Sequence, residues 1–208
     1  MSNKEGSSPF CGAGIQPESP APLRIGLVAG ESSGDLLGAG LIRSIRAKLP
    51  NAEFAGMAGP RMEAEGCACW ETSDRIAIMG LGEVLRRLGD LIRLRKELRN
   101  RFEVWQPDVF VGIDSPDFNL GLEIMLRSLG VPTVHYVSPS LWAWRPRRVK
   151  KIARAADLVL CLLPFETAPY EAAGIASRFV GHPLADHFPT RSSRSAARQK
   201  LGMDEQSE

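Results

Sequence analysis

Three features of this 208-residue sequence predict an α/β fold, one parallel sheet with helices on both faces. Short apolar runs alternate with longer stretches whose apolar residues recur every three or four positions. Turns bearing glycine or proline separate the two kinds of segment at intervals that suit β–α–β units. The balance of 44% hydrophobic and 24% charged residues supplies enough apolar material for a real core.

Taken in order, Leu23 to Ala29 is an apolar run that suits a buried strand. Leu36, Leu37, Leu41, Ile42, Ile45 and Leu49 then recur at helical spacing, and Pro50 ends that helix. Glu53 to Gly56 reads as the second strand, with Pro60 placed for the first turn of a short helix. Residues 83–104 carry the longest helical pattern, with Val84, Leu85, Leu88, Leu91, Ile92, Leu98 and Phe102 as its apolar stripe. Strands follow at 109–113, 131–137, 158–162 and 177–180. Helices are expected near 119–129, near 146–156 and from Pro164. Residues 1–22, rich in Ser, Gly and Pro, read as a flexible tail, and 23–184 as one domain. Residues 185–193 suit a linker, and 196–201 a helix opening a further domain, so 185–208 would be linker and domain start.

Composition narrows the function. The formal net charge is only +2 and no binding module is recognisable, which argues against a nucleic-acid partner. No apolar stretch approaches the roughly 20 residues of a membrane span. Cys11, Cys67, Cys69 and Cys161 have no secretory leader before them and suit reduced thiols. Cys67-Ala-Cys69 lacks the second pair that a zinc site needs, so no metal is expected.

Ligands of open parallel sheets bind beyond the carboxyl ends of the strands, and three unusual loops sit at such ends. Gly30-Glu-Ser-Ser-Gly-Asp35 allows a tight turn into a helix whose free N–H groups favour an anion, with Glu31, Ser32, Ser33 and Gly34 as candidate contacts. Its plain reading is a strand–helix turn capped by Ser33 or Asp35. The same residues match G-x-S-x-G, with Ser32 as nucleophile and Asp114 plus His135, His182 or His187 as partners. That hydrolase reading lacks the earlier strand that supplies half an oxyanion hole. Asp114-Ser-Pro-Asp-Phe-Asn119 offers two carboxylates, Asp114 and Asp117, of which a partly buried one could act as a general base. Asp117 or Asn119 also suits a helix cap, whereas Asp114 stands too early for that role. Ser138 to Trp144 follows the third strand end, and Trp142, Trp144 and Arg145 lead into a run of basic residues. Indoles stack on sugars or lie at membrane interfaces, and arginines fork onto phosphate. The plain alternative is a solvated basic helix over packed indoles. The helix after residue 83 likewise shows a basic face, either solvated or docked, with Ile78, Met79 and Leu81 beside it, on an anionic bilayer.

Seven strings in order resemble the lipid-A-disaccharide synthase family: Ala29 to Asp35, Ala58 to Met62, Met79 to Leu85, Ile113 to Asn119, Tyr136 to Arg145, Pro164 to Glu166, and Val180 to Leu184. The resemblance implies a Rossmann-like N-terminal, acceptor-side domain of a GT-B type glycosyltransferase. It implies transfer of 2,3-diacylglucosamine from UDP-2,3-diacylglucosamine to 2,3-diacylglucosamine 1-phosphate, by inversion and without metal or cofactor. The site would be peripheral on the cytosolic face of the inner membrane of a Gram-negative bacterium. Asp114 would be the base and Glu31 a second carboxylate. Ser32, Ser33, Gly34, Asp117, Asn119, Ser138, Trp142, Trp144 and Arg145 would bind substrate, and Ile78, Met79, Leu81, Val84 and Leu85 would meet acyl chains or membrane. The family's second, nucleotide-binding domain would only begin here, leaving the chain incomplete as an enzyme. An acceptor- or membrane-binding module is the alternative, and uncovered apolar surface would favour a homo-oligomer.

Overall fold

The computed structural model describes residues 21–73, 75, 84–139, 146–187 and 193–203. Seven parallel strands form one sheet in the order β3-β2-β1-β4-β5-β6-β7. They are β1 (Arg24–Ala29), β2 (Glu53–Ala58), β3 (Cys67–Thr72), β4 (Val109–Ile113), β5 (Thr133–Tyr136), β6 (Leu158–Cys161) and β7 (Ser177–Phe179). The helices are α1 (Ser32–Arg46), α2 (Pro60–Ala64), α3 (Val84–Trp105), α4 (Pro116–Arg127), α5 (Pro146–Ala155), α6 (Thr167–Ala172) and α7 (Arg194–Lys200). Short 3-10 turns occupy Pro164–Glu166 and Pro183–His187.

The order of strands follows from the handedness of the crossovers. The chain runs outward from β1 to β3, returns through α3, and runs outward again from β4 to β7. Right-handed connections then place helices of the two halves on opposite faces. Leu37, Ala39, Ile42 and Met62 of α1 and α2 pack with Ile25, Leu27, Ala29 and Ile113 on one face. On the other, Leu94, Leu98 and Phe102 of α3 and Phe118, Leu122 and Leu126 of α4 pack with Val28, Met57 and Phe110. Ile152, Ala155 and Tyr170 extend this second layer over Val159 and Cys161. Strands covered on both sides are apolar on both sides, which is why β1, β2 and β4 read as unbroken runs.

The structure adds one strand and shifts two details. β3 is an edge strand whose outer residues are half-exposed, so it lacks the apolar run that marks the others. Helix α4 starts at Pro116, earlier than the apolar spacing predicts, with the proline in its first position. Along α3, Leu94 is buried and Ile92 is 41% exposed, the reverse of the predicted stripe.

Candidate active site at the switch point of the sheet

β1 and β4 are neighbours whose following helices lie on opposite faces, so the sheet's order reverses between them. Ligands of such sheets bind in the crevice that opens there. Ala29 pairs in register with Ile113, so Gly30 and Asp114 leave the two strands at the same level. The predicted convergence of the first two loops is therefore built into the sheet.

On the β1 side, Glu31 is the N-cap of α1 in extended conformation, and its side chain makes no capping bond. Glu31, Ser32 and Ser33 are exposed. The first-turn N–H groups of a helix lack intrahelical acceptors, so those of α1 point toward the crevice. Gly34 is buried, and a Cβ there would stand 3.4 Å from the Ala29 side chain and 3.5 Å from the Ile113 carbonyl. Those are ordinary contact distances, so α1 packs closely on both strands here without excluding a methyl group. Asp35 takes a different role from the one expected. It is 2% exposed, and its carboxylate accepts the N–H groups of Gly59 and Arg61, each at 3.0 Å, and Met62 at 2.9 Å. It caps α2 across the loop instead of its own helix.

On the β4 side, Asp114 and Ser115 both hold left-handed backbone, with φ of 52° and 44°. Such geometry is uncommon outside glycine and concentrates at functional sites. Asp114 is half-buried, and its N–H donates to the Tyr136 carbonyl at 2.8 Å. Its carboxylate has no hydrogen bond or ion pair among the described residues. Ser115, and neither Asp117 nor Asn119, is the N-cap of α4, again without a side-chain bond. Asp117 lies exposed in the first turn, where a negative charge suits the helix dipole. Asn119 is fully buried, and its amide donates to the carbonyls of Asp114 at 2.8 Å, Ile113 at 3.2 Å and Val28 at 3.3 Å. It ties the strand ends together and offers no donor to a ligand, which corrects the expectation that it binds substrate.

Past β5, Val137 has φ of 83°, a genuine outlier for a β-branched residue. Ser138 is buried, and its hydroxyl bonds the Tyr170 hydroxyl at 2.9 Å, so it is a packing contact between this loop and α6. Trp142, Trp144 and Arg145 lie outside the described residues, as do Ile78, Met79 and Leu81 and the side chains of Val84 and Leu85.

The hydrolase geometry is absent among the described residues. Ser32 bonds no histidine, and the His182 Nδ1 accepts the Leu184 N–H at 3.1 Å. His135 lies under the opposite face of the sheet from α1, fully buried, with Nδ1 at 2.7 Å from Glu123 Oε1. Burial raises the carboxyl of Glu123, an effect His135 partly opposes. Sequence reading missed this pair. The basic face of α3 is also partly engaged: Arg95 donates to the Asp117 carbonyl at 3.0 Å and Arg101 to that of Trp70 at 3.0 Å, and Arg99 pairs with Glu103 at 2.8 Å. Burial pushes the Cys67 thiol up to about 12 and that of Cys161 to about 11, so both behave as core residues.

A family model described as lipid-A-disaccharide synthetase matches residues 25–208. The chain belongs to the lipid-A-disaccharide synthase family. It is 56% identical to the lipid-A-disaccharide synthase of Pectobacterium carotovorum subsp. carotovorum over 89% of this chain and 48% of that protein. Against those of Klebsiella pneumoniae and Yersinia pestis it is 55% identical over 88% of its length, covering 48% and 46% of theirs. The chain thus spans about half the length of the synthases it matches. A solved structure titled as the glycotransferase of kitacinnamycin superposes with a TM-score of 0.52 at 18% identity, covering 84% of this chain and 54% of that one. At that identity the likeness speaks for the fold, the α/β architecture of one glycosyltransferase half. Among the described residues no helix is long and apolar enough to cross a membrane.

Proposed function

We propose that this chain is the acceptor-side half of an inverting glycosyltransferase that makes the lipid A disaccharide. The donor is UDP-2,3-diacylglucosamine and the acceptor 2,3-diacylglucosamine 1-phosphate; the products are the disaccharide 1-phosphate and UDP. The observation that carries this reading is Asp114. Its carboxylate stands half-buried at the switch point, unpaired among the described residues, on a backbone held in an uncommon conformation. A carboxylate so placed can take the proton of the acceptor hydroxyl as that oxygen attacks the anomeric carbon. The bond from that carbon to the UDP oxygen breaks, and UDP leaves with the electron pair.

Glu31, exposed at the N-cap of α1, would serve as the second carboxylate. The uncapped N-termini of α1 and α4 supply partial positive charge for a phosphate, with Ser32 and Ser33 hydroxyls beside it. Trp142, Trp144 and Arg145 would bind the sugar and phosphate of the acceptor. Ile78, Met79, Leu81, Val84 and Leu85 would take acyl chains at the cytosolic face of the inner membrane. In this reading residues 23–184 are the acceptor-side domain, and 185–208 lead into a donor-binding domain.

A transfer assay with UDP-2,3-diacylglucosamine and radiolabelled acceptor tests the reading, with a full-length relative run beside the 208-residue chain. The relative should form disaccharide and this chain should not, while still binding the acceptor. Failure of the chain to bind acceptor at concentrations that saturate the relative would sink the acceptor-side assignment. Tight UDP binding by the chain alone would contradict the division of labour between the halves.

A further inference from the structure

Helix α4 carries buried polar side chains where an amphipathic helix packed on a sheet ordinarily places apolar ones. Asn119 and Glu123, one turn apart, are both fully buried. A Cβ added to Gly112 would overlap Glu123 Oε1 and come within 3.0 Å of the Asn119 Cβ. Both side chains therefore occupy the space above one residue of β4, two positions before Asp114. From there they reach in different directions. Asn119 spans to β1 and to the carbonyls of the two peptide links that flank the Asp114 Cα. Glu123 reaches the ring of His135 on β5, which pairs with Gly112 in register.

Left-handed backbone at two successive non-glycine residues is unfavourable, so it persists only where its surroundings over-determine it. At Asp114 both backbone groups are held: the N–H by the Tyr136 carbonyl and the carbonyl by the Asn119 amide. The Ile113 carbonyl is held by the same amide, which blocks rotation of the peptide plane entering Asp114. Asn119 can do this only if α4 keeps its height over the sheet. The Glu123–His135 bond resists a change of that height, because sliding α4 would separate two fully buried polar groups.

We infer that Asn119 and the Glu123–His135 pair are positioning residues that hold Asp114 in its left-handed conformation and so aim its carboxylate into the crevice. The catalytic weight of this inference rests on Asp114 being the base; the conformational part does not. Glu123 acts here through geometry, so a glutamine, whose amide offers both an acceptor and a donor to the His135 Nδ1, serves in its place.

The test uses the 208-residue chain and backbone 13C shifts of Asp114 and Ser115, which report left-handed geometry directly. Asn119→Ala and Glu123→Ala should lose the left-handed signature at both residues, and Glu123→Gln should retain it. Leu122→Ala, a buried apolar truncation on the same helix, should lower the unfolding midpoint comparably and leave the signature unchanged. Should Asn119→Ala not fold, Asn119→Asp keeps the shape and removes the donors, and must lose the signature likewise. A further arm needs no variant: the Asn119 side-chain amide protons should exchange far more slowly than those of exposed Asn51. Retention of the signature in the Asn119 variants, its loss in Leu122→Ala, or fast exchange of the Asn119 amide overturns the inference. None of these readouts involves sugar transfer, so they stand or fall apart from the proposed reaction.

Discussion

The cap that Asp35 makes on α2 can be tested with a substitution that changes almost no volume. In Asp35→Asn, an amide oxygen at the Oδ1 position keeps the bonds from Gly59 and Met62. The amide nitrogen must then face the Arg61 N–H, donor against donor, where the carboxylate now accepts at 3.0 Å. A hydrogen bond to a charged group contributes about 1.5–3 kcal/mol, and leaving a part-buried N–H such as that of Arg61 without its acceptor adds at most about 1 kcal/mol more. A loss of about 2 kcal/mol follows for Asn. Asp35→Ala strips all three N–H groups of their acceptor and should lose about 3–5 kcal/mol, less than a simple sum because the three bonds share one group. With a urea m-value of about 2 kcal/mol/M, the Asn variant's unfolding midpoint should fall by about 1 M. Concentrated salt should not restore it, since the partners are backbone groups and not screened charges. An Asn midpoint within about 0.2 M of the parent would refute the cap as the reason for an acid at this position.

Four further outcomes are expected. In a full-length relative, Asn at the position aligned with Asp114 should lower transfer by about 10²–10⁴-fold with an unchanged unfolding midpoint; near-normal turnover removes the residue from the base role. Gly112→Ala forces its new methyl into Glu123 Oε1 and should destabilise by about 3 kcal/mol, measured by urea unfolding. Glu123 has its carboxyl raised by burial, so the stability it contributes is full below the ordinary carboxylate value of 4.5 and is lost as pH rises through the folded value. The unfolding free energy of the parent should therefore fall above about pH 4.5 relative to Glu123→Gln, read from urea midpoints at a series of pH values. Val137→Gly relieves a β-branched residue at φ 83° but gives up the packing of a half-buried side chain and adds glycine's entropic cost, so the unfolding free energy from urea titration should change by less than about 1 kcal/mol.

The sheet was readable because β1, β2 and β4 are buried on both sides, and β5 and β6 are buried on one side and at least half-buried on the other, which writes itself as an apolar run. β3 carries no such run, since an edge strand with half-exposed Trp70 and Glu71 needs none. The crevice was readable in outline: a loop at a strand's carboxyl end is a local feature, and three such loops differ from ordinary turns. What hid was every role that depends on a partner distant in sequence. Asp35 looks like a cap for the helix it stands in, yet its acceptors serve N–H groups 24 to 27 residues away. Asn119 looks like a helix-start ligand, and only the neighbouring β1 carbonyl shows why it points inward. Glu123 and His135 sit on a helix and a strand with nothing in their spacing to announce contact. Several strings that carried the family resemblance thus hold the site's frame as much as its chemistry, Glu166 included, whose carboxylate accepts the Leu163 N–H and closes a turn.

The place of β1 inside the sheet, with a neighbour on each edge, has a consequence for the chain as it is made. One of its edges pairs with β2, less than 30 residues on, but the other waits for β4, with Arg24 and Asp108 meeting across 84 residues. At a synthesis rate of about 5–20 residues per second, that edge stays open for roughly 4–17 s. During this interval the nascent chain presents an unpaired apolar strand, Ile25 to Ala29, to any other strand nearby. A ribosome-bound chain ending before residue 109 should therefore recruit chaperones or self-associate, and one extending past α4 should not.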